Sequence, residues 1–178
     1  MSALWRAREQ PLAATSDGHL LQPMTTMHLD AVMAVEVAAY AFPWSRGNFI
    51  DSLAAGHAAW LLTDGSQALL GYVVAMFGVD ELHLLNITVA PAAQRRGHAR
   101  RLIDALVGLA RARRAGQLWL EVRDTNERAR RMYERLGFVQ VGVRKSYYPA
   151  GFGRREDAVV MSLQIAPSHP PEAGHALG

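Results

Sequence analysis

The chain has 178 residues, half of them hydrophobic, a fifth charged and none cysteine. That is enough for one globular domain with a sizeable core, and it excludes collagen-like, disulfide-framed and wholly disordered chains. Without cysteine there is no thiol nucleophile and no zinc–thiolate site. The net charge of +3 hides a division: residues 94–155 hold sixteen basic against five acidic side chains, a balance of +11, and the rest of the chain stands at −8. Such a basic segment suits a polyanion, either a phosphate-bearing cofactor or nucleic acid, or it is a solvated arginine-rich surface.

Residues 1–19 show no sustained period and residues 166–178 are rich in Pro, Gly and small side chains, so both are expected to be flexible around a single domain over residues 20–165. Residues 1–20 lack an apolar signal core and no apolar run reaches the roughly 18 residues of a membrane helix, which makes the cytoplasm the expected location. Leu29, Val32, Met33 and Tyr40 predict a first helix ending before Pro43, with Glu36 either facing a bound substrate or lying at the edge of its apolar stripe. Ser45 caps a second helix over residues 45–53. Strands are expected at residues 58–63, 68–77 and 82–89, the first two joined by a turn at Asp64-Gly65.

Ala99, Leu102, Ile103, Leu106, Val107 and Ala110 mark a strongly amphipathic helix that starts at the basic loop Gln94-Arg95-Arg96-Gly97-His98-Ala99. A strand over residues 118–122 follows, then a helix carrying Ala129, Met132, Tyr133 and Leu136, with Asp124 and Glu127 as its capping box and Gly137 as its stop. Residues 138–143 and 158–165 close a mixed α/β sheet with helices on its faces. The run from Asn86 to Arg101 leads a strand through a glycine loop into a helix N-terminus, an arrangement that either receives a pyrophosphate or is a simple helix cap. It is neither a P-loop nor a dinucleotide fingerprint.

Read together, Gln94 to Ala99, Ala41-Phe42-Pro43-Trp44-Ser45, Leu118-Trp119-Leu120-Glu121-Val122-Arg123, Asn126, Tyr133-Glu134-Arg135-Leu136-Gly137-Phe138 and Tyr147-Tyr148-Pro149 resemble the GCN5-related N-acetyltransferases (GNAT), in particular their RimI-type branch of ribosomal-protein alanine N-acetyltransferases. The resemblance spans residues 20–165. It implies the GNAT fold, acetyl-CoA as cosubstrate, and transfer of an acetyl group to a protein N-terminal α-amine. Glu121 falls at the general-base position and Tyr133 at the general-acid position; read from the residues alone, Glu121 could instead pair with an arginine, and Tyr133 sits at core spacing. The resemblance implies cofactor contacts from the backbone of Ile87, Thr88 and Val89 and from the loop residues Arg95, Arg96, Gly97, His98, Ala99 and Arg100. Asn126 is either a coenzyme contact or a residue satisfying the backbone of its helix start. Trp44 and Tyr147, with Phe42, either line the acceptor groove or, in the Phe-Pro-Trp turn, clasp two helices.

At pH 7 roughly a tenth of α-amines but about one lysine in several thousand is neutral, which favours an N-terminal acceptor for a single carboxylate base. A rival within the class is another protein or a small amine. From other classes come an RNA- or ribosome-binding module, against which stands the lack of an aromatic–basic repeat, and an acetyl-CoA sensor without turnover. No histidine cluster calls for a metal. A monomer without direct nucleic-acid binding is expected.

Overall fold

The computed structural model describes residues 18–166, so the expectations for the chain's ends lie largely outside the described residues. Strand β1 (Leu20–Pro23) and a 3-10 turn (Thr26–His28) precede helix α1 (Leu29–Ala39) and helix α2 (Arg46–Ala54). Strands β2 (Ala58–Thr63), β3 (Leu69–Phe77) and β4 (Glu81–Val89) follow, then helix α3 (His98–Ala112), strand β5 (Gln117–Arg123), helix α4 (Glu127–Arg135) and strands β6 (Val139–Pro149) and β7 (Arg155–Gln164). The seven strands form one sheet in the order β1-β2-β3-β4-β5-β7-β6, antiparallel throughout except for β4 beside β5. A parallel neighbour requires a crossover, and α3 supplies it.

The two faces are covered differently. Leu102, Ile103, Leu106 and Ala110 of α3 recur every three or four residues and are buried with Val73, Leu82, Leu84, Leu118 and Leu120, together with Tyr133 of α4 and Phe138. Leu29 and Val32 of α1 and Phe49 of α2 bury against Leu61, Tyr72 and Val74 on the opposite face. Period-2 alternation sends Leu118, Leu120 and Val122 of β5 into the first core. Trp119, Glu121 and Arg123 therefore project to the α1 side.

Several expectations change. β1 is a four-residue edge strand paired with β2, too short for a detectable period. Asp64-Gly65 is part of a longer turn rather than a two-residue one: the Asp64 carboxylate accepts from the Ser66 and Ala68 N–H groups, and Asp64 N–H reaches the Ala68 carbonyl at 3.1 Å. The cap of α4 is Asn126, whose Oδ1 accepts from Ala129 N at 3.2 Å. Asp124 instead pairs with Arg130 at 2.8 Å. β6 runs six residues beyond the expected Val143, through Arg144 and Lys145, because it is an exposed edge strand and its outward residues need not be apolar.

Candidate functional site

β4 and β5 pair only from Glu81–Gln117 to Leu84–Leu120, although β4 continues to Val89 and β5 to Arg123. The pairing of β4 with β3 slips at the same point, where Val74 faces Asn86 and the next residue, Ala75, faces Leu84. A bulge of this kind bends its strand. The two strands thus separate into a gap that begins at Leu85 and Glu121.

Ladder parity decides what the gap contains. Ala90 N–H bonds back to Leu70 at 2.9 Å, so the even-numbered residues Asn86 and Thr88 turn their peptide groups to β3. Gly71 permits this close approach, since a Cβ there would lie 2.6 Å from the Thr88 carbonyl. Ile87 and Val89 consequently aim their N–H and C=O groups into the gap. Side chains already engage both carbonyls: the Tyr40 hydroxyl donates to Ile87 O at 2.9 Å, and Gln94 Nε2 to Val89 O at 3.2 Å. What this edge presents is therefore chiefly N–H donors.

Glu121 is the first β5 residue beyond the paired stretch, and it approaches from the α1 face with its side chain 17% exposed. Arg144 Nε stands 3.2 Å from its carboxylate, the ion pair that the alternative reading of this residue foresaw. Arg144 is itself more than half exposed, so the pair can part when a substrate enters. Tyr133 comes from the other face, 5% exposed and edge-on to Phe138 at 5.5 Å. Burial pushes its phenol well above the ordinary value, helped by the neighbouring Tyr40 and Tyr148 phenols, and it holds its proton through the neutral range. Tyr148, which also donates to the Glu121 carbonyl oxygen at 3.1 Å, is raised in the same way by burial, then by Tyr147 and Glu121. Three phenols and a carboxylate thus converge on the gap.

At the gap's outer end lies the basic loop. Arg95 and Gly97 hold left-handed backbone, φ +64° and +82°, and α3 starts behind Gly97 with no side-chain cap. Its first N–H groups are left for an outside acceptor. A Cβ on Gly97 would meet nothing within 4 Å, so this is an open cradle. Arg95, Arg96 and Arg100 are exposed around it, and Arg128 Nη1 reaches Gln94 Oε1 at 3.2 Å, tying α4 to the loop. His98 differs from the expectation: its ring is buried edge-on against His19 at 5.1 Å, leaving only its backbone to face a ligand. Ala99 is half-buried behind it.

On the acceptor side the proposed lining residues divide. Trp44 packs edge-on against Phe49 at 5.2 Å, its N–H bonded to Glu36 Oε1 at 2.7 Å, which is the clasp reading of the turn. Tyr147 stays exposed, with the Arg144 guanidinium 5.6 Å from its ring centre. Between them Arg123 lies over Tyr148 (4.5 Å) and beside Phe42 (5.5 Å) and donates to Pro149 O and Glu156, joining the α1–α2 segment to the β6–β7 hairpin. Glu36 is not at a stripe's edge. It is 1% exposed and accepts from Trp44 N, the Tyr72 hydroxyl and Asn86 Nδ2. Tyr40, Arg123 and Tyr148 border the gap without having been singled out in the sequence; the Tyr147-Tyr148 pair offered a signal, since one of two adjacent strand residues must face inward.

Among the described residues no group of His, Asp and Glu is placed to hold a metal ion, and no helix is long and apolar enough to cross a membrane. The model of the acetyltransferase (GNAT) family matches residues 29–138. A Haemophilus ducreyi protein described as [ribosomal protein bS18]-alanine N-acetyltransferase is 33% identical over 82% of this chain and all of its own length. A protein of Escherichia coli K12 with the same description is 36% identical, over 82% of this chain and 97% of its own. The crystal structure of the ribosomal-protein-S18-alanine N-acetyltransferase from Escherichia coli superposes with a TM-score of 0.76 at 34% identity, covering 90% of this chain and 99% of that one.

Proposed function

The chain belongs to the acetyltransferase (GNAT) family, and from that membership we propose that it moves the acetyl group of acetyl-CoA onto the N-terminal α-amine of a protein, the alanine terminus of ribosomal protein bS18 being its substrate. The observation that carries the reading is the gap between β4 and β5, an edge of N–H donors with Glu121 entering from one face and Tyr133 from the other. An acyl transfer uses that division, because one group must take the proton of the attacking amine and another must give one to the departing thiolate.

The open loop at Gly97, the uncapped start of α3 and the exposed Arg95, Arg96 and Arg100 suit the pyrophosphate of coenzyme A, with the backbone of Ile87 and Val89 along its pantetheine arm; Thr88, expected there too, turns its peptide groups to β3 instead. His98 and Ala99 serve through their N–H groups. Asn126 contributes its amide NH2, its Oδ1 being used by Ala129. The cosubstrate supplies an activated acetyl thioester, and the residues do the rest. Glu121 takes the proton of the incoming amine as the new C–N bond forms, a role that requires Arg144 to swing aside. The N–H groups of the β4 edge face the oxygen that gains negative charge. Tyr133 gives its proton to the sulfur as the C–S bond breaks. Tyr147 and the Phe42 side of the Arg123 stack border the entering terminus, while Trp44 fixes the loop behind them. Acting on a ribosomal protein, the enzyme works in the cytoplasm.

The test is release of free thiol from acetyl-CoA with a peptide beginning Ala-Arg and with its N-blocked counterpart. Turnover on the free peptide alone, reduced at least tenfold in Glu121→Gln and in Tyr133→Phe, is expected. No turnover on either peptide, with acetyl-CoA still bound, would refute the acceptor assignment.

A further inference from the structure

Tyr40 belongs to neither core cluster, its ring is partly exposed, and its hydroxyl crosses 47 residues of sequence to a strand carbonyl. An edge carbonyl beside open space is ordinarily left to water. The carbonyl chosen here belongs to Ile87, a residue whose N–H also points into the gap, near its inner end where Glu121 and Tyr133 approach.

The hydroxyl has a fixed sense. A carbonyl can only accept, so the Tyr40 hydrogen is turned to Ile87 O at 2.9 Å, and Thr88 Oγ1 lies 3.1 Å from Tyr40 Oη. Behind Thr88 stands the buried Glu36 carboxylate, its Oε2 3.3 Å from Thr88 Oγ1. Glu36 in turn holds Trp44 N and Asn86 Nδ2, so the acceptor-side loop and the gap strand share one anchor. In the parallel register set by Leu84 and Leu120, extended pairing would bring Ile87 opposite Arg123. Tyr40 occupies the carbonyl that this pairing would need.

We propose that Tyr40 is a positioning residue for acetyl transfer: its hydroxyl holds the Ile87 carbonyl and so fixes the backbone at Ile87, whose N–H, in the adjoining peptide on the same strand edge, keeps its aim at the substrate carbonyl oxygen. The inference rests on the acetyl-transfer reading. Preorganised donors act mainly on the step in which charge develops, so the loss should fall on turnover more than on binding.

Tyr40→Phe keeps the ring and removes only the hydroxyl. At saturating peptide and acetyl-CoA, kcat should fall at least fivefold, while the dissociation constant of acetyl-CoA by calorimetry stays within twofold and Tm within about 2 °C. A kcat within twofold of wild type, or a loss of acetyl-CoA affinity as large as the loss of kcat, overturns the proposal. A second readout needs neither turnover nor equal stability: in 13C,15N-labelled protein at a temperature where both forms are folded, acetyl-CoA should shift the Ile87 amide of wild type more than that of Tyr40→Phe. Equal shifts overturn the proposal as well. If wild type binds acetyl-CoA but acetylates no amine, the transfer reading fails, and the amide comparison still decides whether Tyr40 positions Ile87.

Discussion

The two helices that start at the gap begin in opposite ways. α4 is closed on itself: Asn126 accepts from Ala129 N, Arg130 donates to the Asp124 carbonyl and carboxylate, and Glu156 accepts from the Thr125 N–H at 2.8 Å. α3 starts behind a left-handed glycine, with no side-chain cap among the described residues. The proposed pyrophosphate site lies at this end, where the first helix N–H groups meet no such cap. The energetic deficit of that end in the free protein becomes binding energy when an anion arrives.

Gly97 offers the sharpest way to break the contrast. Gly97→Val adds left-handed strain at φ +82° and fills the cradle, and the acetyl-CoA dissociation constant should rise at least tenfold by calorimetry. An unchanged constant would remove the loop from the cofactor site. Asn126 sharpens it from the other end: Asn126→Ala should lower unfolding free energy by about 1 kcal/mol in a urea titration, whereas Asn126→Ser keeps a capping oxygen and most of that stability. Both should weaken acetyl-CoA about threefold. If neither does, Asn126 is a cap alone.

Smaller effects come from charge. Raising salt from 50 to 300 mM should increase the KM for acetyl-CoA about twofold, because Arg95, Arg96 and Arg100 act across solvent; an insensitive KM would assign the pyrophosphate to backbone donors only. The smallest concerns His98, whose pKa is lowered by burial and then by His19, Arg101 and Arg96. The folded chain then binds fewer protons than the unfolded one below about pH 6.5, so stability falls as pH drops through that range. Urea midpoints at pH 5.5 and 7.5 should differ less in His98→Phe than in wild type, and an equal difference would clear His98 of the effect.

The sequence was readable where a pattern is local. β2 lies where its apolar run and flanking turn signals put it, and α3 follows its stripe of Leu102, Ile103, Leu106 and Ala110. The family motifs pointed to Glu121, Tyr133 and the loop before α3, and the fold brings these residues to the gap and to its outer end. The place of Glu36 was not readable: its partners Tyr72, Asn86 and Thr88 lie 36 to 52 residues away, and a helix wheel shows only a carboxylate beside apolar neighbours. The gap was equally hidden, since Leu84-Leu85-Asn86 reads as uninterrupted strand and the bulge exists only against β3. His98 looked like a loop residue because its partner, His19, belongs to a segment with no legible pattern.

The order of the last two strands bears on how the molecule is made. β7 lies between β5 and β6, so β6, which brings Arg144 and Tyr148 to the gap, has no sheet neighbour until the final strand enters. During synthesis β6 therefore gains its sheet neighbour only after β7 has followed it out of the ribosome. Chains ending at Arg154 should release no thiol even where acetyl-CoA still binds, and activity in such a chain would show that β6 can reach the site unaided.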